Sequence, residues 1–432
     1  ELYHAEESFF LVNGSTCGIL SAVSACVPRG GWLLMARNCH TSVYHAALLR
    51  GLKTEYLYPD RQPGYSFCAG IRCSQVQQAV EAFEKNHPGE RPGAVILTSP
   101  TYEGILSEVS SIAEYLHKKN IPLIVDEAHG AHFGMAEGIP ENSCQAGADL
   151  VIHSLHKTLP SLTQTALLHV NGDLVDRRTL RRFLRIYQSS SPSYILMASM
   201  DQAVLQLLSD REDLFRSFLI KRKKLWDTIR SCRYLDCYAG AADPCKLVIT
   251  VRHEEWTGKK LYDCLRLEYG LQMEMAAGDY VVAILTIMDT KEGLERLADA
   301  LVKIDARLTE QTPYMTHVSN DKSEADAKNE ADTKSETDTK NETDTIEKKP
   351  YGFRAETVLT LAEGTEAGTA MVSMQQAQNR ISAEFVYVYP PGIPLLAPGE
   401  RIHQEHIRLL EEIRKKGLEV KGMEDGQLTV VL

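Results

Sequence analysis

Three short segments of the sequence combine polar residue types at spacings that could do chemistry. The first is residues 13–18 (NGSTCG), which lie between an apolar run and a helical pattern. The hydroxyls of Ser15 and Thr16, together with free backbone N–H groups at a helix N-terminus, could bind a phosphate group. The alternative is an ordinary helix start, because Ser and Thr are also favourable N-caps. Taken alone, the segment is compatible with both interpretations.

The second segment, residues 126–130 (DEAHG), directly follows the apolar run at residues 122–125. Because α/β proteins bind ligands at the carboxyl ends of parallel strands, Asp126 with His129 three residues later indicates a site. The letters DEAH also occur in helicases, but the sequence has no G-x-x-x-x-G-K-[ST] motif, which excludes an NTPase of that kind. A metal site at Asp126, His129 and His132 lacks a further ligand at a known spacing, so it is disfavoured. A helix cap with surface histidines is the remaining alternative.

The third segment, residues 153–158 (HSLHKT), follows another apolar run. A lysine whose pKa is lowered by burial or by neighbouring cations can act as a Schiff-base nucleophile. Most single lysines are exposed to solvent instead. Lys157 follows Asp126 by about 30 residues, at the end of a neighbouring predicted strand. This position favours a functional lysine.

Together the three segments predict a site for pyridoxal 5′-phosphate (PLP). This coenzyme needs a phosphate cradle, an acid facing its pyridine nitrogen and a lysine for its aldehyde. The chain supplies these three parts in the order cradle, Asp126, Lys157.

The elements that must position this site alternate between strand and helix patterns up to about residue 170. Apolar strands separated by helices predict an α/β unit with a largely parallel sheet. The predicted strands are residues 9–12, 32–36, 54–58, 94–98, 123–125, 150–153 and 166–170. The predicted helices between them are residues 15–26, 42–50 and 107–119.

The rest of the chain predicts smaller units. One or two long helices at residues 193–230 precede strands at 246–251 and 280–287 and helices at 259–268 and 294–308, a pattern that indicates an α+β domain. Residues 319–349 contain four copies of a six-residue acidic unit without aromatic residues, which predicts a disordered linker. A single charged helix is disfavoured by the Asp, Asn and Thr content. The predicted division is a large domain at 1–230, a small domain at 231–318, the linker at 319–349 and a C-terminal α+β domain at 350–432.

Composition excludes several classes of protein. The 432 residues include 47 Lys and Arg against 58 Asp and Glu, a net charge of −11, which argues against nucleic acid as a partner. The ten cysteines show no CxxC or zinc-site spacing and favour a reducing cytosol. The longest apolar run, residues 280–288, is much shorter than the roughly 18 residues of a membrane helix. We therefore expect a cytoplasmic protein without a membrane span or a metal site.

Seven segments resemble the Orn/Lys/Arg decarboxylase family of fold-type-I PLP enzymes. The segment HSLHKTL is the most specific of them, and it separates this family from acyl-CoA-condensing synthases, which share D-x-A-H. The segments are SFFLVNGSTCGIL (8–20), RNCHTSVYHAALLRG (37–51), SPTYEGI (99–105), PLIVDEAHGAHFG (122–134), GADLVIHSLHKTLPSLTQTALLH (147–169), SSSPSYILMASMD (189–201) and YPPGIPLLAPGE (389–400). Family members usually begin several tens of residues earlier, so we expect an N-terminally truncated chain.

The resemblance implies a PLP-dependent transferase-like fold and a role for each ring-facing residue. Lys157 would bind the aldehyde of PLP, and Asp126 would pair with the pyridinium nitrogen. His40 would stack on the ring, although by itself it is typical of a helix cap. His129 would reach the phenolic oxygen of the ring.

The resemblance also implies a phosphate site and an assembly. Ser15 and Thr16 would hold the phosphate, with Ser154 and His156 completing the cradle. Ser190, within the run 189–191, would reach the phosphate of a partner subunit, because fold-type-I sites lie at dimer interfaces. A homodimer or higher homo-oligomer is therefore expected, although a Ser-rich loop before a helix is the alternative for this run.

The function implied is decarboxylation of a basic amino acid (arginine, lysine or ornithine) to a polyamine precursor and CO₂. The alternatives are a PLP-dependent aminotransferase and a catalytically weak PLP-binding protein of the same fold.

Overall fold

The apolar runs of the first 170 residues form a seven-stranded sheet in the computed structural model. Its strands are β1 (Glu7–Leu11), β2 (Trp32–Ala36), β3 (Lys53–Leu57), β4 (Pro92–Thr98), β5 (Leu123–Asp126), β6 (Leu150–Ser154) and β7 (Ala166–Val170), in the order β1-β7-β6-β5-β4-β2-β3. Pairing is parallel from β3 through β6, and β7 is antiparallel to both of its neighbours. The prediction of a largely parallel sheet is confirmed.

The structure describes residues 2–238, 240, 243–311, 354–388, 392–415 and 420–432. The predicted acidic linker at 319–349 and the first part of the Pro-rich run, residues 389–391, lie outside the described residues.

Six helices accompany the seven-stranded sheet. They are α1 (Gly14–Cys26), α2 (Thr41–Arg50), α3 (Cys73–Asn86), α4 (Val109–Lys118), the single turn α5 (Leu155–Thr158) and α6 (Arg177–Tyr187). The predicted helices correspond to α1, α2 and α4, whereas α3 and α6 were not predicted. In α3 the three buried residues Val76, Val80 and Phe83 recur at helical spacing, but polar and charged residues surround them.

A second sheet of four antiparallel strands follows the 36-residue helix α7 (Tyr194–Ile229). It contains β8 (Leu235–Cys237), β9 (Lys246–Val251), β10 (Met275–Ala277) and β11 (Tyr280–Ile284) in the order β10-β11-β9-β8, with helices α8 (Gly258–Tyr269) and α9 (Lys291–Gln311). Leu247 and Ile249 of β9 belong to the same hydrophobic cluster as residues of β4, β5 and β6. The two sheets therefore share one core.

The C-terminal part forms two small three-stranded sheets around a core of its own. The elements are α10 (Leu361–Glu366), β12 (Thr369–Ser373), β13 (Val386–Val388), β14 (Ile393–Leu396), α11 (Gln404–Lys415), β15 (Val420–Lys421), β16 (Met423–Glu424) and β17 (Gln427–Val431). The sheet orders are β12-β17-β16 and β14-β13-β15. Val386, Leu396 and Leu428 are among the residues of this separate core. The exact domain boundaries stay a prediction.

Among the residues that the structure describes, none of the helices combines the length and apolarity that a membrane span requires.

A buried ion pair links the C-terminal part to the seven-stranded sheet. Arg37, just after β2, lies 3.1 Å from Glu400, and their side chains are only 5% and 1% exposed. Arg37 also donates to the carbonyl of Leu395 at 3.2 Å. Because a buried charge without its partner is costly, this pair makes the attachment of the two parts sensitive to single substitutions.

We predict that Arg37→Met lowers the free energy of unfolding by about 3–5 kcal/mol, because it leaves the Glu400 carboxylate buried and unpaired. Urea denaturation of the full chain measures this loss. Arg216→Met is the matched control, since the Arg216–Asp213 pair is 67% and 85% exposed and should contribute less than about 1 kcal/mol. Equal losses in the two variants would contradict the prediction.

Candidate active site

The carboxyl ends of β5 and β6 form the floor of a cleft. Asp126 is the last residue of β5 and pairs with Ile152 of β6, and β6 runs directly into the single turn α5, which carries Lys157. The cleft measures about 940 Å³, open solvent at its mouth included. Of the predicted residues, those that line the cleft are Ser15, His40, Asp126, His129 and Lys157.

Burial dominates the electrostatics of Asp126 and Lys157. Asp126 is 3% exposed and accepts a hydrogen bond from the backbone N–H of Ala128 at 3.2 Å. Burial raises the pKa of Asp126, and the positive charge of Lys157 opposes that rise. Burial lowers the pKa of Lys157, and Asp126 and Glu274 oppose that fall. Each group therefore favours the ionised form of the other in a site that disfavours both charges.

His129 lies between two lysines. Its Nε2 atom is 3.0 Å from Nζ of Lys157, and its Nδ1 atom is 2.7 Å from Nζ of Lys246, the first residue of β9. Burial, followed by the charges of these two lysines, holds the pKa of His129 well below its usual range, so the ring is neutral. The ring of Tyr102 packs edge-on against it, with the ring centroids 4.7 Å apart.

His40 is both a helix cap and a cleft residue. It is the N-cap of α2, where its Nδ1 accepts a hydrogen bond from the backbone N–H of Ser42 at 3.2 Å. The same side chain lines the cleft. Burial and, to a lesser degree, Lys157 lower the pKa of His40 to about 4, so its imidazole is neutral at physiological pH.

The first turn of α1 has no side-chain cap, although the backbone N–H of Gly14 donates to the carbonyl of Gln164 at 2.9 Å. Its N-cap, Asn13, makes no side-chain capping bond; its Oδ1 instead accepts from the backbone N–H of Ser189 at 3.0 Å. Gly14 has a φ of +73°, which favours glycine at this entry to the helix. Ser15 lines the cleft. Thr16 is exposed and is not among the described residues that line it.

The other predicted cradle residues lie at the same edge of the sheet or on a neighbouring loop. The Ser154 hydroxyl is buried and has no hydrogen-bond partner among the described residues. His156 is partly buried, with its Nδ1 atom 2.9 Å from the carbonyl of Thr165. Ser190 lines a separate groove with Phe10 and Met197, so the structure does not bring it into the Lys157 cleft of its own chain.

Several residues in or beside the cleft were not predicted from the sequence. The most consequential is Lys246, which is 3% exposed and contacts His129 of the cleft. A signal was present, because a lysine that begins the otherwise apolar run KLVITV is atypical of a buried strand. Asn38 lines the cleft with an Oδ1 atom that is buried and without a partner among the described residues. Glu274 also lines the cleft and accepts a hydrogen bond from the hydroxyl of Tyr102.

Comparisons with known proteins agree with this architecture. The model of the Orn/Lys/Arg decarboxylase major domain matches residues 1–264, and that of the C-terminal domain of the same family matches residues 354–425. The arginine decarboxylase of Bacillus subtilis (strain 168) is 28% identical over 100% of this chain and 83% of its own length. The uncharacterized protein YaaO of the same organism is 31% identical over 100% of this chain and 84% of its own length.

Solved structures confirm the predicted fold class. The lysine decarboxylase of Francisella novicida superposes with a TM-score of 0.79 at 18% identity, covering 99% of this chain and 70% of that one. The serine palmitoyltransferase of Sphingomonas wittichii reaches a TM-score of 0.57 at 15% identity, covering 72% and 74% of the two chains. On the strength of the family models and of full-length relatives, this chain belongs to the Orn/Lys/Arg decarboxylase family.

Proposed function

We propose that this chain is a PLP-dependent decarboxylase that converts a basic amino acid, namely arginine, lysine or ornithine, into an amine and CO₂. Membership of the Orn/Lys/Arg decarboxylase family supports the reaction and the class of substrate. The observation that carries the proposal is the cleft in which Lys157, at the end of β6, faces the buried Asp126 at the end of β5.

The chemistry of the cleft fits PLP. The buried Oδ1 atom of Asn38 and the buried Oγ atom of Ser154 have no hydrogen-bond partner among the described residues. A buried polar atom without a partner is costly, so such atoms are typical of a site that a polar ligand completes. The uncapped first turn of α1 adds backbone N–H groups suited to a phosphate.

The residues that would hold the cofactor divide into three groups. Lys157 would bond to its aldehyde carbon, and Asp126 would pair with its pyridine nitrogen. Ser15, Thr16, Ser154 and His156 would bind its phosphate. His40 and His129, both neutral, would contact its ring and phenolic oxygen. When bound, PLP supplies an acceptor for the electron pair that the breaking Cα–carboxylate bond leaves behind.

The protein contributes charge and protons to this chemistry. Asp126 is ionised more readily when a positive charge faces it, so it would stabilise a protonated pyridine nitrogen. A proton must then return to Cα of the substrate. Lys157 and His40 are the two candidates, and their environments favour Lys157. The pKa of His40, about 4, leaves that imidazole without a proton to give, whereas burial lowers the pKa of Lys157 and so makes its ammonium group a stronger acid.

We also propose a cytoplasmic homodimer or higher oligomer that supplies polyamine precursors. All ten cysteines lie in the described residues and are free, which supports a reducing compartment. Two large apolar side chains at the start of α7, Tyr194 and Ile195, are 81% and 73% exposed, which supports a partner on this face. The adjacent loop carries Ser190, which would reach the partner's phosphate.

We predict that the chain, incubated with PLP and carboxyl-labelled arginine, lysine or ornithine, releases labelled CO₂ and an amine from at least one of the three. The amine and any keto acid are identified by mass spectrometry. Formation of a keto acid without CO₂ would favour an aminotransferase. No product from any of them, with PLP bound, would favour a catalytically weak binding protein.

We predict that Lys157→Ala abolishes the PLP adduct that borohydride reduces, because Lys157 is the only lysine among the described residues that line the cleft. Mass spectrometry of digested protein locates the pyridoxyl group. The control is Lys118→Ala, whose side chain is 69% exposed and which should label as the unmodified chain does. A pyridoxyl group on a different lysine of the unmodified chain would refute the assignment.

We predict that Ile195→Asp shifts the chain towards monomers in sedimentation velocity, because a carboxylate in an apolar contact is strongly unfavourable. The affinity for PLP should fall together with the dimer fraction if Ser190 reaches the phosphate in the partner's site. Leu267→Asp is the control, since Leu267 is 77% exposed on a different helix, α8. An unmodified chain that is strictly monomeric and still binds PLP tightly would contradict the shared site.

A further inference from the structure

We propose that Lys246 is a positioning residue that, through the ring of His129, accepts the proton of Lys157 and leaves that lysine as a free amine. This inference rests on the proposed function and deepens it, because a lysine must be an uncharged amine to bond to an aldehyde. The structural basis is the contact of one imidazole ring with two lysines, at 3.0 Å from Lys157 and 2.7 Å from Lys246.

The imidazole limits how many protons the three residues can hold. A neutral imidazole has one N–H donor and one lone-pair acceptor. If both lysines were ammonium groups, one contact would set the N–H of His129 against another donor. At these distances both contacts are hydrogen bonds only if the lysine that faces the imidazole N–H is an amine, so at most one of the two lysines is an ammonium group. The ring therefore ties the protonation states of Lys157 and Lys246 to each other.

The acids near Lys246 favour its ammonium form and offset part of the burial that disfavours it. The side chain is 3% exposed, and its Nζ lies 5.4 Å from the centroid of the Tyr102 ring. Burial lowers its pKa to about 8, against the opposing charge of Asp243. Lys246 thus exchanges between amine and ammonium near physiological pH. His129 stays neutral, so it can pass a proton on without storing one.

The relay conserves protons and charge within the three residues. In one state, Lys157 is the ammonium group and donates to Nε2, while the N–H at Nδ1 of His129 donates to the amine of Lys246. A proton then moves from Lys157 to Nε2 as the proton on Nδ1 moves to Lys246. In the resulting state, Nε2 carries the ring proton and donates it to the uncharged amine of Lys157, and Lys246 is the ammonium group. No proton has to cross to solvent.

Other titratable groups face the three residues, and the test variants keep all of these side chains. The acids are Asp126, Glu274, Glu103 and Asp243. The remaining groups are His40, His156, Cys245 and Tyr102.

The test measures the reactivity of Lys157 in the full chain without PLP. Trace labelling with acetic anhydride across a pH series, read by mass spectrometry, gives the pH at which Lys157 is half deprotonated. Lys246→Met removes the proton acceptor, so this midpoint should rise by about one pH unit, which slows labelling about tenfold on its acidic side. Lys246→Gln keeps a polar contact with Nδ1 but cannot accept a proton, and it should act in the same direction if the Met variant fails to fold.

A double-mutant cycle separates the relay from simple repulsion between two lysines. In the His129→Leu background, Lys246→Met should leave the midpoint of Lys157 unchanged, because the connection is already broken. An equal rise in both backgrounds, or no rise in the original chain, would overturn the proposal. Thermal unfolding verifies that each variant is folded. Because PLP is absent from the assay, a chain that shows the coupling but fails to bind PLP would refute the proposed function and leave the relay standing.

Discussion

The rest of the structure depends on one constraint. A carboxyl group and an amine are buried together at the carboxyl edge of the seven-stranded sheet. Burying either charge alone costs several kcal/mol of hydration. Asp126 and Lys157 each offset part of that cost for the other, as the opposed directions of their pKa shifts indicate. The arrangement requires β5 and β6 to end side by side, and the parallel pairing of Asp126 with Ile152 provides this.

The walls of the cleft come from three separate parts of the chain. The seven-stranded unit contributes the N-terminal ends of α1 and α2. The four-stranded unit contributes Glu274, which directly precedes β10, and its Lys246 contacts His129 from the first position of β9. The C-terminal part contributes Ile393 of β14, and the buried Arg37–Glu400 pair anchors that part nearby. A cleft built from three parts exists only when all three are packed, so its chemistry is sensitive to the packing of each.

The sequence was informative where chemistry follows directly from local structure. Apolar runs that end in Asp126 or lead to Lys157 predicted both the strands and the edge at which they meet, because parallel strands carry their ligands at that edge. His40 is both a helix cap and a cleft residue, so its two interpretations are compatible. An N-cap side chain lies at a helix end, and helix ends surround such clefts. Lys246 could not be found in this way. It contacts His129 across 117 positions of sequence, and only tertiary packing makes that pair.

The acid–base state of the cleft is consequently a tertiary property. Lys246 is the first residue of β9. Leu247 and Ile249 of the same strand pack in the core that also contains Val125 and Ile152. A hydrogen bond weakens steeply once its atoms separate beyond normal contact, so a displacement of about 1 Å between the two sheets would break the contact at Nδ1 of His129. Close packing resists such a displacement, because cores have few voids into which side chains could move. Apolar residues that contact no ligand thereby determine which ring nitrogen of His129 carries the proton. They thus also determine the reactivity of Lys157.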